Sequence, residues 1–146
     1  MSLIEDLIEL SQFSSDRLPV SAMQKARLSL LDWMVCGWAG REEPLSIKLR
    51  RLSEQEQGVG PCSVIGGAKR PARMSALING ATSHALDYDD THFGHVGHLS
   101  VGVYPAALAA AEEMDCSALQ MIEAFLVGAE ADEVDGSCST RRRNAP

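Results

Sequence analysis

The sequence predicts an all-α fold, and three observations carry that expectation. Apolar residues recur at intervals of three and four in one segment after another, the period of a helix with one buried face. No segment alternates apolar and polar residues long enough to make a half-buried strand. Alanine and leucine are plentiful, while aromatics make up only 5% of the 146 residues, a balance that favours helix. A chain of this length makes one domain with a real core. Its 45% hydrophobic and 23% charged content is ordinary for a soluble globular protein.

About six helices and one short extended segment follow from the pattern. Residues 3–13 carry apolar side chains at 3, 4, 7, 8 and 10, which is helical spacing. Pro19-Val20-Ser21 opens a second helix, closed by Gly37 and Gly40, with close packing as an alternative role for Gly37. Its second half is apolar nearly all round, which predicts a central, buried helix. Asp32 within it reads as a buried structural acid with a partner. Residues 42–57 form a more polar helix with a basic patch at Lys48, Arg50 and Arg51, of which the two arginines read as solvated charge; Gly58-Val59-Gly60-Pro61 ends it. Residues 62–67 read as a short extended piece with a turn at Gly66-Gly67. A helix rich in small residues follows over 72–86, then a polar loop. Another helix is expected over 106–114, starting after Tyr104-Pro105, and a last one from an N-cap at Ser117 to about Ala131. Beyond Glu130 the periodicity stops, and residues 132–146, with three consecutive arginines, read as a disordered tail.

The net charge of −7 argues against a nucleic-acid partner, because phosphate binding needs a basic surface. It leaves room for a small anionic substrate held by a few local cations. Cys36, Cys62, Cys116 and Cys138 form no CxxC pair and no zinc spacing. With no basic leader at the N-terminus, they read as reduced thiols of a cytoplasmic protein. The longest apolar run, residues 28–39, is broken by Asp32 and too short to span a bilayer, so no membrane partner is expected.

Chemistry concentrates in one stretch. His84-Ala85-Leu86-Asp87-Tyr88-Asp89-Asp90-Thr91-His92, followed by His95 and His98, holds all four histidines of the chain beside three carboxylates and a hydroxyl. Histidine gains and loses protons near neutral pH, which acid/base chemistry requires. Adjacent carboxylates repel when both ionise, so one can serve as an acid. Thr91 can hold a carboxylate or hydroxyl by hydrogen bonding. Plainer roles compete: Asp90 or Thr91 capping a turn, and His84 packed inside a helix. A metal site of Asp89, His92, His95 and His98 is a further alternative.

Several strings together resemble the MmgE/PrpD family. They are Leu31-Asp32-Trp33 with Ala39-Gly40, Val64-Ile65-Gly66, Asn79-Gly80, the His84 to His92 stretch, His98-Leu99-Ser100, and Pro105-Ala106-Ala107-Leu108-Ala109-Ala110-Ala111-Glu112. The resemblance runs over residues 3–131. Ordered motifs in separate segments are far more specific than one pattern. That family includes 2-methylcitrate dehydratase, an enzyme of propionate metabolism, cis-aconitate decarboxylase and iminodisuccinate epimerase. The resemblance implies a large helical domain plus a smaller α/β domain in a homodimer, with a site in the cleft between domains that uses no metal or other cofactor. It assigns catalytic positions to Asp87 as acid/base or orienting carboxylate, Thr91 as a ligand of a substrate carboxylate, and His98 as a proton-transfer or binding group. The expected partner is a small carboxylic acid, and the chain is expected to be a homo-oligomer.

Two departures stand out. The family has His-Pro-Ser where this chain has His98-Leu99-Ser100. Family members are also much longer, and their later histidine, lysines and tyrosine have no counterpart here. The loss of pattern after Glu130 predicts a frameshift or premature stop, and a chain inactive by itself. A tricarboxylate-like substrate needs several cations, yet no lysine or arginine lies between Arg73 and Arg141. The competing functions are a helical self-association module and a metal-binding helical protein.

Overall fold

The computed structural model describes residues 3–12, 18–92 and 97–143, with the backbone alone at residues 3, 6, 7, 11 and 132–143. Six helices make up the described residues: α1 (Leu3–Ser11), α2 (Val20–Gly40), α3 (Pro44–Gln55), α4 (Ala72–Ser83), α5 (Leu99–Glu113) and α6 (Ala118–Arg143). The all-α expectation holds. No described helix is long and apolar enough to cross a membrane.

α5 packs between α4 and α6, and α2 crosses all three. The core is an aromatic stack. Tyr104 of α5 lies parallel to Phe125 of α6, with ring centroids 3.7 Å apart, and 5.7 Å from Trp33 of α2. Ala26, Leu99, Ala111, Met121 and Ile122 close around it. Each polar tip is satisfied, as buried aromatic N–H and O–H groups require. The Tyr104 hydroxyl donates to the Ala26 carbonyl, and Trp33 Nε1 donates to Ser83 Oγ at 2.9 Å.

The extended piece at residues 62–67 pairs Cys62 with Arg70 in an antiparallel bridge around a turn at Gly66, whose φ is +72°. Asn79 of α4 clamps it: its Oδ1 accepts from the Ile65 N–H and its Nδ2 donates to the Ser63 carbonyl, both at 2.8 Å. Glu112 of α5 accepts from the Ser63 N–H and hydroxyl. Three family-like positions, Trp33, Asn79 and Glu112, therefore hold the scaffold. Ser117 and Gln120 form a reciprocal capping box that starts α6, as the expected N-cap at Ser117 implies.

Several expectations need correction. α2 is not buried all round. Its buried face carries Ala26, Trp33, Cys36, Gly37 and Gly40, with Met23 and Leu30 packed at the edge of the core, while Leu28, Leu31, Met34, Val35 and Trp38 are exposed. Asp32 lies on that open side and is exposed, with the Cys36 thiol 3.9 Å from its Oδ2. α5 begins at Leu99, seven residues before the expected start at residue 106, and carries Pro105 inside it. A proline at that depth removes one backbone hydrogen bond; the Val101 carbonyl it would have reached faces Gly80 of α4. α6 continues to Arg143, past the expected end near Ala131. No proline interrupts the sequence between Pro105 and Pro146, and each added residue extends a helix by one bond once it has nucleated. Arg50 is not simply solvated: its guanidinium lies under the Gly66-Gly67 turn, with Nη1 buried.

Candidate active site

The C-terminal end of α4 and the N-terminal end of α5 bring the polar stretch together. α4 stops at Ser83, so His84 is its C-cap and not an interior helical residue. The His84 N–H bonds the Gly80 carbonyl at 3.1 Å, and the Asp87 N–H bonds the His84 carbonyl at 3.0 Å. These tight turns place Asp87 at φ +56°, the left-handed region that Asp tolerates better than most residues. α2 fixes where this happens. A Cβ on Gly40 would fall on the Thr82 carbonyl oxygen and 3.3 Å from the Ala85 Cβ, so only glycine lets α2 reach the end of α4.

Asp90 starts α5. Its Oδ1 accepts from the Ser100 N–H at 3.1 Å, and its Oδ2 accepts from the hydroxyls of Ser100 at 2.6 Å and Ser29 at 3.3 Å. The capping role for Asp90 is the one the geometry supports, and it ties the loop to α2 through Ser29.

Around this anchor, two imidazoles and two carboxylates converge. His84 and His98 meet edge to face, with ring centroids 4.8 Å apart. Asp89 lies beneath them with its side chain 0% exposed: Oδ1 is 2.9 Å from His84 Nδ1, and Oδ2 is 3.3 Å from His98 Nδ1. The Asp89 carbonyl accepts from His98 Nδ1 at 3.2 Å. Asp87, with its side chain 78% exposed, stands on the outer side, its Oδ1 3.9 Å from His84 Nε2 and 3.7 Å from His98 Nε2. Two of the three expected catalytic positions, Asp87 and His98, are thus neighbours. Thr91 is exposed, at the start of a loop closed by the bridge between His92 and Gly97. His95 lies outside the described residues.

Of the metal set expected from the sequence, Asp89, His92, His95 and His98, His95 lies outside the described residues. Among the described residues, the group with donor atoms within 4.8 Å of one another is His84, Asp89 and His98. His84 Nδ1 already bonds Asp89 Oδ1 and His98 Nδ1 the Asp89 carbonyl, so a cation here would have to displace those contacts, whereas the buried Oδ2 makes no hydrogen bond. Sequence reasoning missed His84 as a site residue and Asp89 as its buried support. The signal was present, since both lie in the same polar stretch, but the helical period ran past the true end of α4.

No thiol is prepared as a nucleophile among the two buried cysteines. Burial pushes the Cys36 thiol up, and Asp32, Asp89 and Asp90 add to it. Burial, then Glu112 and Glu113, push the Cys62 thiol up as well. Cys36, Cys62 and Cys116 are free. A groove of about 650 Å³ is lined by apolar residues including Leu30, Met34, Trp38, Leu108 and Met121, and the histidine cluster does not line it. The cluster of His84, Asp87, Asp89 and His98 is therefore separate from this apolar groove.

Residues 10–143 match the MmgE/PrpD N-terminal domain. The cis-aconitate decarboxylase of Aspergillus terreus is 31% identical over 127 residues, which cover 83% of this chain and 26% of that protein. A cis-aconitate decarboxylase-like protein of Aspergillus oryzae is 31% identical over 128 residues, covering 82% of this chain and 27% of its own length. The chain spans about a quarter of the length of these curated relatives. The matched region includes the helices that build the histidine cluster and the loop that carries it, and on that basis the chain belongs to the MmgE/PrpD family.

Proposed function

We propose that this chain supplies the N-terminal part of a lyase site acting on a tricarboxylate-like acid, by decarboxylation of a cis-aconitate type or dehydration of a 2-methylcitrate type. The observation that carries the reading is the convergence of the Nε2 atoms of His98 and His84 on the exposed Asp87 carboxylate. Such a pair can take a proton from carbon or deliver one to it next to a substrate carboxylate. Asp87 and His98 act as the proton-transfer groups, and the Thr91 hydroxyl binds a substrate carboxylate. No step in this reading passes through a metal or cofactor. The free thiols fit a cytoplasmic protein.

Of the cations that precede the motif, Lys69, Arg70 and Arg73, Arg70 is committed elsewhere. Arg70 Nε donates to Ser53 and its Nη1 to the Lys69 carbonyl. We therefore expect negligible turnover by the chain alone. The test is to mix it with the separately produced remainder of the Aspergillus terreus enzyme and follow cis-aconitate by NMR. Restored decarboxylation supports the reading; turnover by the chain alone contradicts the expectation of inactivity.

A second reading, self-association, is favoured by the apolar groove and the uncovered α2 face. It is compatible with the homodimer expected of the family. A concentration-independent monomer in light scattering would count against it.

A further inference from the structure

Asp89 is the one carboxylate of the cluster shut off from solvent, and its position constrains the protons on both rings. A carboxylate oxygen and a backbone carbonyl oxygen only accept hydrogen bonds. His84 Nδ1 faces Asp89 Oδ1 at 2.9 Å, and His98 Nδ1 faces the Asp89 carbonyl at 3.2 Å and Oδ2 at 3.3 Å. Both Nδ1 atoms must therefore carry a hydrogen. A neutral imidazole holds one proton, so a proton fixed on Nδ1 leaves Nε2 as an acceptor. The two Nε2 atoms lie on the outer side, each within 4 Å of Asp87 Oδ1.

We propose that Asp89 is a positioning residue that fixes His84 and His98 together as Nδ1–H tautomers, so that the site presents two proton-accepting Nε2 atoms, one on each ring, beside Asp87. His84 thereby joins His98 as a second acceptor. Its use on a substrate rests on the lyase reading above; the tautomers themselves do not. The arrangement has a chemical consequence. One imidazole can accept a proton from a substrate carbon while the other, once protonated, delivers one to a second atom, with Asp87 between them stabilising whichever ring is charged.

The test uses the full chain labelled with nitrogen-15, with long-range proton–nitrogen correlation spectra of the histidine rings at about pH 8, above the ordinary imidazole value. We expect His84 and His98 both to show a protonated Nδ1 and an unprotonated Nε2. In Asp89→Ala the His84 Nδ1 loses its acceptor, whereas His98 Nδ1 keeps the backbone carbonyl of residue 89, so His84 should move to the Nε2–H form while the helical circular dichroism is retained. A wild-type ring found mainly as Nε2–H, or a folded Asp89→Ala protein in which His84 keeps its proton on Nδ1, overturns the proposal. If the variant does not fold, the wild-type spectrum alone decides. The spectra are recorded without substrate, so their outcome is separate from the fate of the lyase reading in the reconstitution assay.

Discussion

Asp87 holds a left-handed backbone at φ +56° while its carboxylate stays in solvent, so shape and chemistry can be separated at one residue. Asn also tolerates this region, whereas Ala pays about 1–2 kcal/mol for it. Asp87→Asn should change stability by less than about 0.5 kcal/mol, and Asp87→Ala should lower it by about 1 kcal/mol, as denaturant midpoints would record. Asp90 is the opposite case, a residue whose work is structural. Asp90→Ala removes the cap on the Ser100 N–H and the carboxylate acceptor shared by the Ser29 and Ser100 hydroxyls, which are left with only each other. It should cost about 1–3 kcal/mol in the same measurement. The capping role of Asp90 was legible from its residue type beside a turn. The role of Asp89 was not, because it depends on two separate turns bringing rings five and nine residues away onto opposite carboxylate oxygens. Burial also sets an alkaline limit. Cys36 and Cys62 have folded-state values raised from 9.0, and Tyr104 is raised from 10.0. The unfolded chain loses these protons first as pH rises, so their contribution is intact below about pH 9 and drains away above it. Thermal melts should show a falling Tm above pH 9, and a flat Tm to pH 11 would contradict this.

At the scale of the element, α2 carries the most information. Its close contact with the end of α4 at Gly40 sets where the histidine cluster stands. Gly40→Ala drives a methyl into the Thr82 backbone carbonyl, which cannot swing away as a flexible side chain can. We expect a loss of about 1–3 kcal/mol, with chemical-shift changes reaching His84. The helical period of α2 was plain in the sequence; which of its apolar faces would be covered was not, because that depends on how many neighbours surround it. The early start of α5 was hidden for a related reason. Pro105 reads as a helix start by local rules, yet here the helix runs through it because Asp90 caps a turn further upstream.

At the scale of the molecule, an aromatic stack of Trp33, Tyr104 and Phe125 fastens α2, α5 and α6, while the Gly40 contact joins α4 to α2 and Asn79 ties α4 to the extended piece at residues 62–67. Phe125→Ala should cost about 3–5 kcal/mol, which is comparable to the whole stability of a small domain. The all-α architecture and its helix count were legible because periodicity is a local signal. The open apolar groove was not, since it is defined by the absence of a neighbour. Replacing two residues of the uncovered α2 face, Leu31→Lys with Val35→Lys, should shift the chain toward monomer in light scattering without lowering Tm by more than a few degrees. The central claim is that the Asp87 and His98 face performs proton transfer once the remainder of the enzyme is supplied. The measurement that tests it most directly is cis-aconitate decarboxylation by the reconstituted pair, comparing wild type with Asp87→Asn and His98→Gln. The account predicts activity with the wild-type chain and a loss of about a hundredfold or more in each variant; activity unchanged in both would contradict it.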